Sequence, residues 1–171
     1  PASPYAVTKR AGELMLDTFH QLHGLSSACL RFFTVYGPRQ RPEMAVHKFA
    51  RAIDAGEPIT VYGDGQSSRD YTYIDDILDG TLGAIDRAPE GCRIYNLGGT
   101  NPVTLEDLVR AVGEALGKVP VVRREPHQPG DVLRTWADVE RARAELGYDP
   151  KVPLRDGLAR FARWLRGETR W

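Results

Sequence analysis

Tyr5 and Lys9 stand four residues apart in the run Tyr5-Ala6-Val7-Thr8-Lys9. On a helix that spacing puts phenol and ammonium on one face, where both can reach a common ligand. A neighbouring cation favours the phenolate and lowers the phenol from its ordinary pKa of about 10. A phenol so tuned can pass a proton to and from a hydroxyl, the chemistry of alcohol-to-ketone interconversion. YxxxK is common by chance, and by spacing alone the pair reads more readily as an exposed tyrosine and a solvated lysine. A second group lies downstream, where Tyr62 precedes the turn Gly63-Asp64-Gly65 and Arg69 follows it. The turn lacks the GxGxxG spacing and the strand-then-helix setting of a dinucleotide fingerprint, so it is not read as a cofactor loop. Arg41 sits in a basic loop, Pro38 to Pro42, where it could be a solvated loop arginine or pair with Glu43.

Other chemistry-bearing residues read as structural. Cys29 and Cys92 are far apart, with no CxxC or Cys/His spacing, which suggests two reduced, buried thiols and no zinc. His20, His23, His47 and His127 show no ligand spacing, and Asp75-Asp76 reads as a helix cap rather than a metal site.

These groups need elements to carry them. Apolar periodicity predicts a helix from Tyr5 to Leu22, begun by Pro4 and stopped by Gly24. Residues 28–36 read as one largely buried strand ended by Gly37-Pro38. Further helices are expected over 44–55, from Asp75 to Arg87, and over 105–116, 139–146 and 154–165; strands are expected over 59–62, 70–74, 93–97 and 119–124. Trp164, Phe161 and Leu165 read as the packing face of the last helix. Helices alternating with buried strands imply an α/β fold.

The chain has 171 residues, 42% hydrophobic and 27% charged, a folded rather than disordered composition. Lys plus Arg and Asp plus Glu are both 23, so no global field recruits nucleic acid or an acidic membrane. No apolar run is long enough for a membrane span and no secretory leader is visible, which together with the free thiols suggests the cytoplasm. Pro1-Ala2-Ser3-Pro4 leads directly into a helix with no opening strand, so a fragment is expected.

Four ordered blocks carry a family resemblance: Ser3 to Glu13 around Tyr5 and Lys9, Leu30 to Pro38, Gly63 to Asp76, and Pro129-Gly130-Asp131. Together they resemble the extended short-chain dehydrogenases/reductases of the NAD-dependent epimerase/dehydratase family, over essentially the whole chain. The resemblance implies the C-terminal part of a Rossmann-type α/β fold plus a small α/β substrate-binding domain. Residues 1–37 would be the tail of the Rossmann domain, and 38–171 mainly the nucleotide-sugar domain, with short segments returning to the Rossmann sheet. It implies that Tyr5 is the acid/base, that Lys9 holds the nicotinamide ribose, that Phe32 and Val35 border the cofactor, and that NAD takes and returns a hydride. Tyr62 would stack on uracil, Arg69 meet the diphosphate and Asp131 reach the nucleotide ribose. Gln128 stands where many relatives carry arginine.

Within the family, the 31–45 segment looks most like UDP-glucuronate 4-epimerases; galactose-type epimerases usually carry asparagine where Thr34 stands. In the glucuronate branch Thr34 and Arg41 are associated with the sugar, and a hydroxyl plus a guanidinium would suit its carboxylate. The expected activity is therefore 4-epimerisation of a UDP-sugar, with a homodimer implied at full length. A sugar-nucleotide decarboxylase or 4,6-dehydratase, and a non-catalytic UDP-sugar-binding fragment, are the alternatives. The isolated chain lacks the glycine fingerprint and is expected not to turn over.

Overall fold

Ser3 starts the first helix by accepting the Ala6 N–H on its hydroxyl at 3.2 Å, with Pro4 in the first helical position, where a missing N–H costs nothing. The computed structural model describes residues 1, 3–127 and 132–168. Helix α1 (Pro4–His23) ends at Gly24, whose φ of 68° is the left-handed geometry glycine takes without a steric penalty. α1 buries none of its residues: Leu14, Met15 and Phe19 all remain exposed.

Two strands, β1 (Ser27–Phe32) and β2 (Thr34–Tyr36), replace the single strand expected over 28–36. β1 runs parallel to β5 (Cys92–Leu97), from Ser27 opposite Cys92 to Phe32 opposite Leu97. β2 runs parallel to β4 (Ser68–Tyr73), Thr34 opposite Tyr71. The break falls at Phe33, whose N–H makes the last rung to the Leu97 carbonyl at 3.1 Å before the chain changes partner. β1 is also less buried than its apolar sequence suggests, with Arg31 and Phe32 exposed.

β4 carries β6 (Pro102–Thr104) antiparallel on its other side, and β3 (Ile59–Tyr62) pairs parallel with β7 (Val122–Glu125). Between the strands run α2 (Ala45–Ala55), α3 (Ile74–Arg87), α4 (Leu105–Leu116), α5 (Glu140–Leu146) and α6 (Leu154–Leu165). The parallel pairings supply the crossovers of an α/β fold. Thr104 caps α4, its hydroxyl accepting the Asp107 N–H at 3.1 Å. Asp75 does not cap α3. The N-cap is Tyr73, and Asp75 and Asp76 occupy the first turn, where carboxylates favour the helix dipole. Asp75 pairs with Arg160 at 3.2 Å, while buried Asp76 accepts the N–H groups of Lys151 and Val152.

Two hydrophobic cores result. One packs α2, α4 and α6 on β2, β3 and β4 through Tyr36, Phe49, Tyr73, Leu108 and Phe161. The other packs α3 and α5 on β5 through Ile77, Tyr95, Leu97, Leu146 and Tyr148. Trp164 and Leu165 pack against the first core. Gly157 on α6 lies so close to Tyr36 that a Cβ there would be 2.1 Å from the phenol oxygen.

Candidate functional site

The i, i+4 spacing places Tyr5, Lys9 and Glu13 along one face of α1. Lys9 Nζ lies 5.4 Å from the centroid of the Tyr5 ring. Glu13 receives both prongs of Arg31 from β1, Nε to Oε1 at 2.6 Å and Nη2 to Oε2 at 2.7 Å, and Arg10 Nη1 adds a third contact at 2.7 Å. The Arg31 hydrogen bonds, with Arg10 assisting, hold the Glu13 carboxyl down at about 2, and the carboxylate in turn raises Arg31. A hollow of about 450 Å³ opens beside this row and includes Tyr5, Lys9, Glu13 and Arg31.

Tyr5 also borders a second hollow of about 450 Å³, whose other wall is the end of β1, β2 and the loop that follows. Phe32, Val35 and Arg41 line it with Tyr5, so four residues singled out in the sequence meet around one space. Tyr5 is 71% exposed, its phenol open to a ligand. Arg41 is exposed as well; its Nε lies 3.4 Å from Glu43 and its Nη2 is 3.8 Å from the Met44 sulfur. The Glu43 pairing is thus present, but an ion pair so open to water is worth about 1 kcal/mol or less and yields readily to a ligand carboxylate. Arg39 adopts φ 64° in the same loop. Thr34, the first residue of β2, is half-buried opposite Tyr71 and lies outside this lining.

The residues expected at a nucleotide lie on other elements. Tyr62 ends β3 opposite Glu125 and is 39% exposed. Beside it, the His127 ring comes within 3.2 Å of where a Gly63 Cβ would stand. Arg69 lies on β4, half-buried, with Nη1 donating to the Ser68 carbonyl at 3.0 Å. Neither Tyr62 nor Arg69 lines the Tyr5 hollows. Asp131, Gln128 and the rest of that motif fall outside the described residues. Asp70 points to the opposite face of β4 from Arg69. Its fully buried carboxylate accepts N–H groups from Gly99 at 2.7 Å, Thr100 at 3.1 Å and Ala137 at 3.0 Å.

Sequence reasoning missed three supports of this region: the Glu13–Arg31 pair, the amide-ringed Asp70, and Gln40 with His47. Only Glu13 left a local signal, four residues past Lys9; the others depend on contacts between distant segments. A larger hollow, about 820 Å³, lies elsewhere, between α4 and the 118–124 segment, where Arg124 pairs with Glu106 at 3.2 Å and Arg110 with Asp107. Cys29 and Cys92 are both free thiols, and burial, then Cys92, pushes the Cys29 thiol up, away from reactive thiolate. Among the described residues no three His, Cys, Asp or Glu side chains are grouped to hold a metal, and no helix is long and apolar enough to cross a membrane.

The NAD dependent epimerase/dehydratase family matches residues 1–98, the stretch that carries α1, β1 and β5, and the chain belongs to that family. Among its relatives is the UDP-glucuronate 4-epimerase of Thermodesulfobacterium geofontis (strain OPF15), 39% identical over 167 residues, a match covering 97% of this chain and 51% of that protein. UDP-glucuronate 4-epimerase 3 of Arabidopsis thaliana is 45% identical over 184 residues, covering 98% of this chain and 43% of that protein. Among solved structures, UDP-glucuronic acid 4-epimerase from Bacillus cereus in complex with UDP-glucuronic acid and NAD superposes with a TM-score of 0.92 at 36% identity, over 99% of this chain and 54% of that one. UDP-glucose 4-epimerase from Thermotoga maritima, with UDP-glucose, gives 0.90 at 34% identity, over 97% and 54%. The chain spans about half the length of the curated relatives it matches.

Proposed function

We propose that the chain provides the acid/base and sugar-binding half of an NAD-dependent UDP-sugar 4-epimerase, with UDP-glucuronate as the preferred substrate. The observation that carries this reading is the single hollow bordered by the Tyr5 phenol and the Arg41 guanidinium. One group can exchange a proton with a sugar hydroxyl, and the other can meet an anionic substituent on the same ring.

The chain's own residues fit one end of a bound dinucleotide. Tyr5 and Lys9 lie on an open helix face beside a hollow, able to hold a ribose, with Phe32 and Val35 on the neighbouring strand. They do not provide a pyrophosphate cradle, since the only Gly-x-Gly turn, at Gly63 and Gly65, leads into β4 rather than a helix. When bound, NAD would supply the hydride acceptor and donor at the sugar's C4. Tyr5 would take the proton from the C4 hydroxyl and return it to the same oxygen after the oxidised ring has turned its other face toward the cofactor, while Lys9, beside the Tyr5 ring, helps to hold the phenol in place. Tyr62, Arg69 and Asp131 would hold the uridine diphosphate, and Thr34 would assist Arg41 at the sugar. Residues 1–37 belong with the cofactor domain and most of 38–171 with the nucleotide-sugar domain, in a cytoplasmic enzyme that dimerises at full length.

Titration of the isolated chain by calorimetry should show binding of UDP and tighter binding of UDP-glucuronate. Joined to the NAD-binding half of a relative, it should convert UDP-glucuronate to UDP-galacturonate. Interconversion of UDP-glucose and UDP-galactose alone would remove the substrate assignment, and no heat with UDP would remove the nucleotide-sugar reading altogether.

A further inference from the structure

Gln40, which itself lines the Tyr5 hollow, and His47, which does not, join the 37–41 loop to the body of the fold. The N-cap of α2 is Met44, which has no side-chain oxygen to offer the first turn. Gln40 supplies one from outside the helix, its Oε1 accepting the N–H of His47, the third helical residue, at 3.1 Å. The same amide donates from Nε2 to the carbonyl of Val35 at 2.7 Å, fixing the loop to β2. The loop closes a third time where His47 Nδ1 meets the Gln40 carbonyl at 2.6 Å. A carbonyl only accepts, so this bond places the proton on Nδ1. The His47 ring is 7% exposed and lies edge-on to Phe161 at 5.5 Å and Trp164 at 5.6 Å, which anchors it to α6.

The loop held in this way needs holding. Arg39 sits at φ 64°, a left-handed conformation that costs a non-glycine residue about 1–2 kcal/mol, and Arg41 pairs with exposed Glu43 and the Met44 sulfur. The Arg41 carbonyl accepts the Met44 N–H at 3.1 Å, and the residue before it is the doubly held Gln40, so Gln40 and His47 help to set the direction of the Arg41 backbone. We propose that these two are positioning residues that aim Arg41 at the sugar end of the Tyr5 hollow and thereby set a preference for an acidic over a neutral nucleotide sugar. The inference rests on reading that hollow as the sugar site.

The test is calorimetry on the 171-residue chain with UDP, UDP-glucose and UDP-glucuronate. Gln40→Met and His47→Phe should each weaken UDP-glucuronate about tenfold, the equivalent of one misplaced charge-assisted hydrogen bond, and change UDP and UDP-glucose by less than about twofold. Gln40→Glu keeps the acceptor for α2 but sets a carboxylate against the Val35 carbonyl. It should show the same selective loss with a melting temperature near that of the parent, so the result does not depend on Gln40→Met folding well. Equal losses with all three ligands would mean a merely structural role and overturn the proposal. So would full retention of the glucuronate preference in Gln40→Glu while Arg41→Ala abolishes it, leaving the nucleotide-sugar reading intact. Absence of UDP binding by the parent chain would instead overturn that reading, and the proposal with it.

Discussion

Arg31 grips Glu13 with two parallel hydrogen bonds, 2.6 Å and 2.7 Å, across the gap between β1 and α1. Because α1 buries no residue, this fork is a principal tether of the helix that carries Tyr5 and Lys9. Bidentate geometry fixes orientation as well as distance, so it also sets the rotation of α1 about its axis.

The tether is acid-labile. Glu13 is held at about 2 in the folded chain, against 4.5 as its ordinary value. A carboxyl depressed by folding contributes stability that is complete above its unfolded value and lost as pH falls through the folded one. The stability of α1 docking should therefore decline between about pH 4.5 and pH 2, by on the order of 1–2 kcal/mol once solvent screening is allowed for. Glu13→Gln should be weaker at neutral pH and flat across that window. Hydrogen exchange of α1 amides against pH reads the difference directly, and a Glu13→Gln profile parallel to that of the parent would refute the tether.

Asp70 answers a different need. Its buried carboxylate joins β4 to the 98–100 turn and to the segment at Ala137 through three backbone N–H groups. Asp70→Ala leaves those donors buried and unpaired, a loss of about 3 kcal/mol or more. Asp70→Asn, which must present an NH₂ to at least one of the same donors, should cost about 1–3 kcal/mol. Urea unfolding of both variants gives the values; an Asp70→Ala midpoint equal to that of the parent would show that the ring of amides is satisfied by other means.

Much of the architecture was legible because its signals are local. Thr104 and Gly117 bracket α4, and Leu154 to Leu165 has the spacing that became α6, with the bounds expected in both cases. Where contacts between distant segments decide, local signals fail. Nothing in the residues around Phe33 tells that the chain leaves β5 there to join β4. The strand at Pro102 was hidden because proline argues against a strand, yet it is tolerated at the first residue of one. Asp75 has the chemistry of a cap but sits two residues inside α3. At the site, helical spacing puts Tyr5 and Lys9 on one face and the downstream blocks give the pair its expected role, whereas Gln40 and His47 become meaningful only when α6 supplies the aromatic wall behind His47.

Gly157 tests the close packing of α6. A methyl there would overlap the Tyr36 phenol, which donates to the Leu154 carbonyl at 3.2 Å, and would press on the Tyr73 ring. Alanine normally favours a helix interior by about 1 kcal/mol over glycine. Gly157→Ala should nevertheless destabilise, by about 1–3 kcal/mol, because overpacking dominates. Pairing it with Tyr36→Phe, which removes the clashing oxygen, should recover part of the loss. A higher melting temperature for Gly157→Ala would show that α6 can shift to make room.

Tyr62 and Arg69 provide the sharpest division of labour within the proposed nucleotide-sugar site. They lie on β3 and β4, away from the hollow that Tyr5 and Arg41 share, so the two groups should fail differently. Tyr62→Ala removes a ring on which a base could stack, worth about 1–3 kcal/mol, and should weaken UDP and UDP-glucuronate alike by about tenfold or more. Arg69→Lys keeps the charge but not the fork, so it should also weaken both ligands, and by more than it weakens uridine, which has no phosphate. Tyr5→Phe, in contrast, should leave UDP affinity unchanged, because the proposed role of its phenol is at the sugar, not the nucleotide. If Tyr62→Ala and Arg69→Lys bind UDP as the parent does, the nucleotide is held elsewhere, and the Tyr5 hollow would have to be assigned to another ligand.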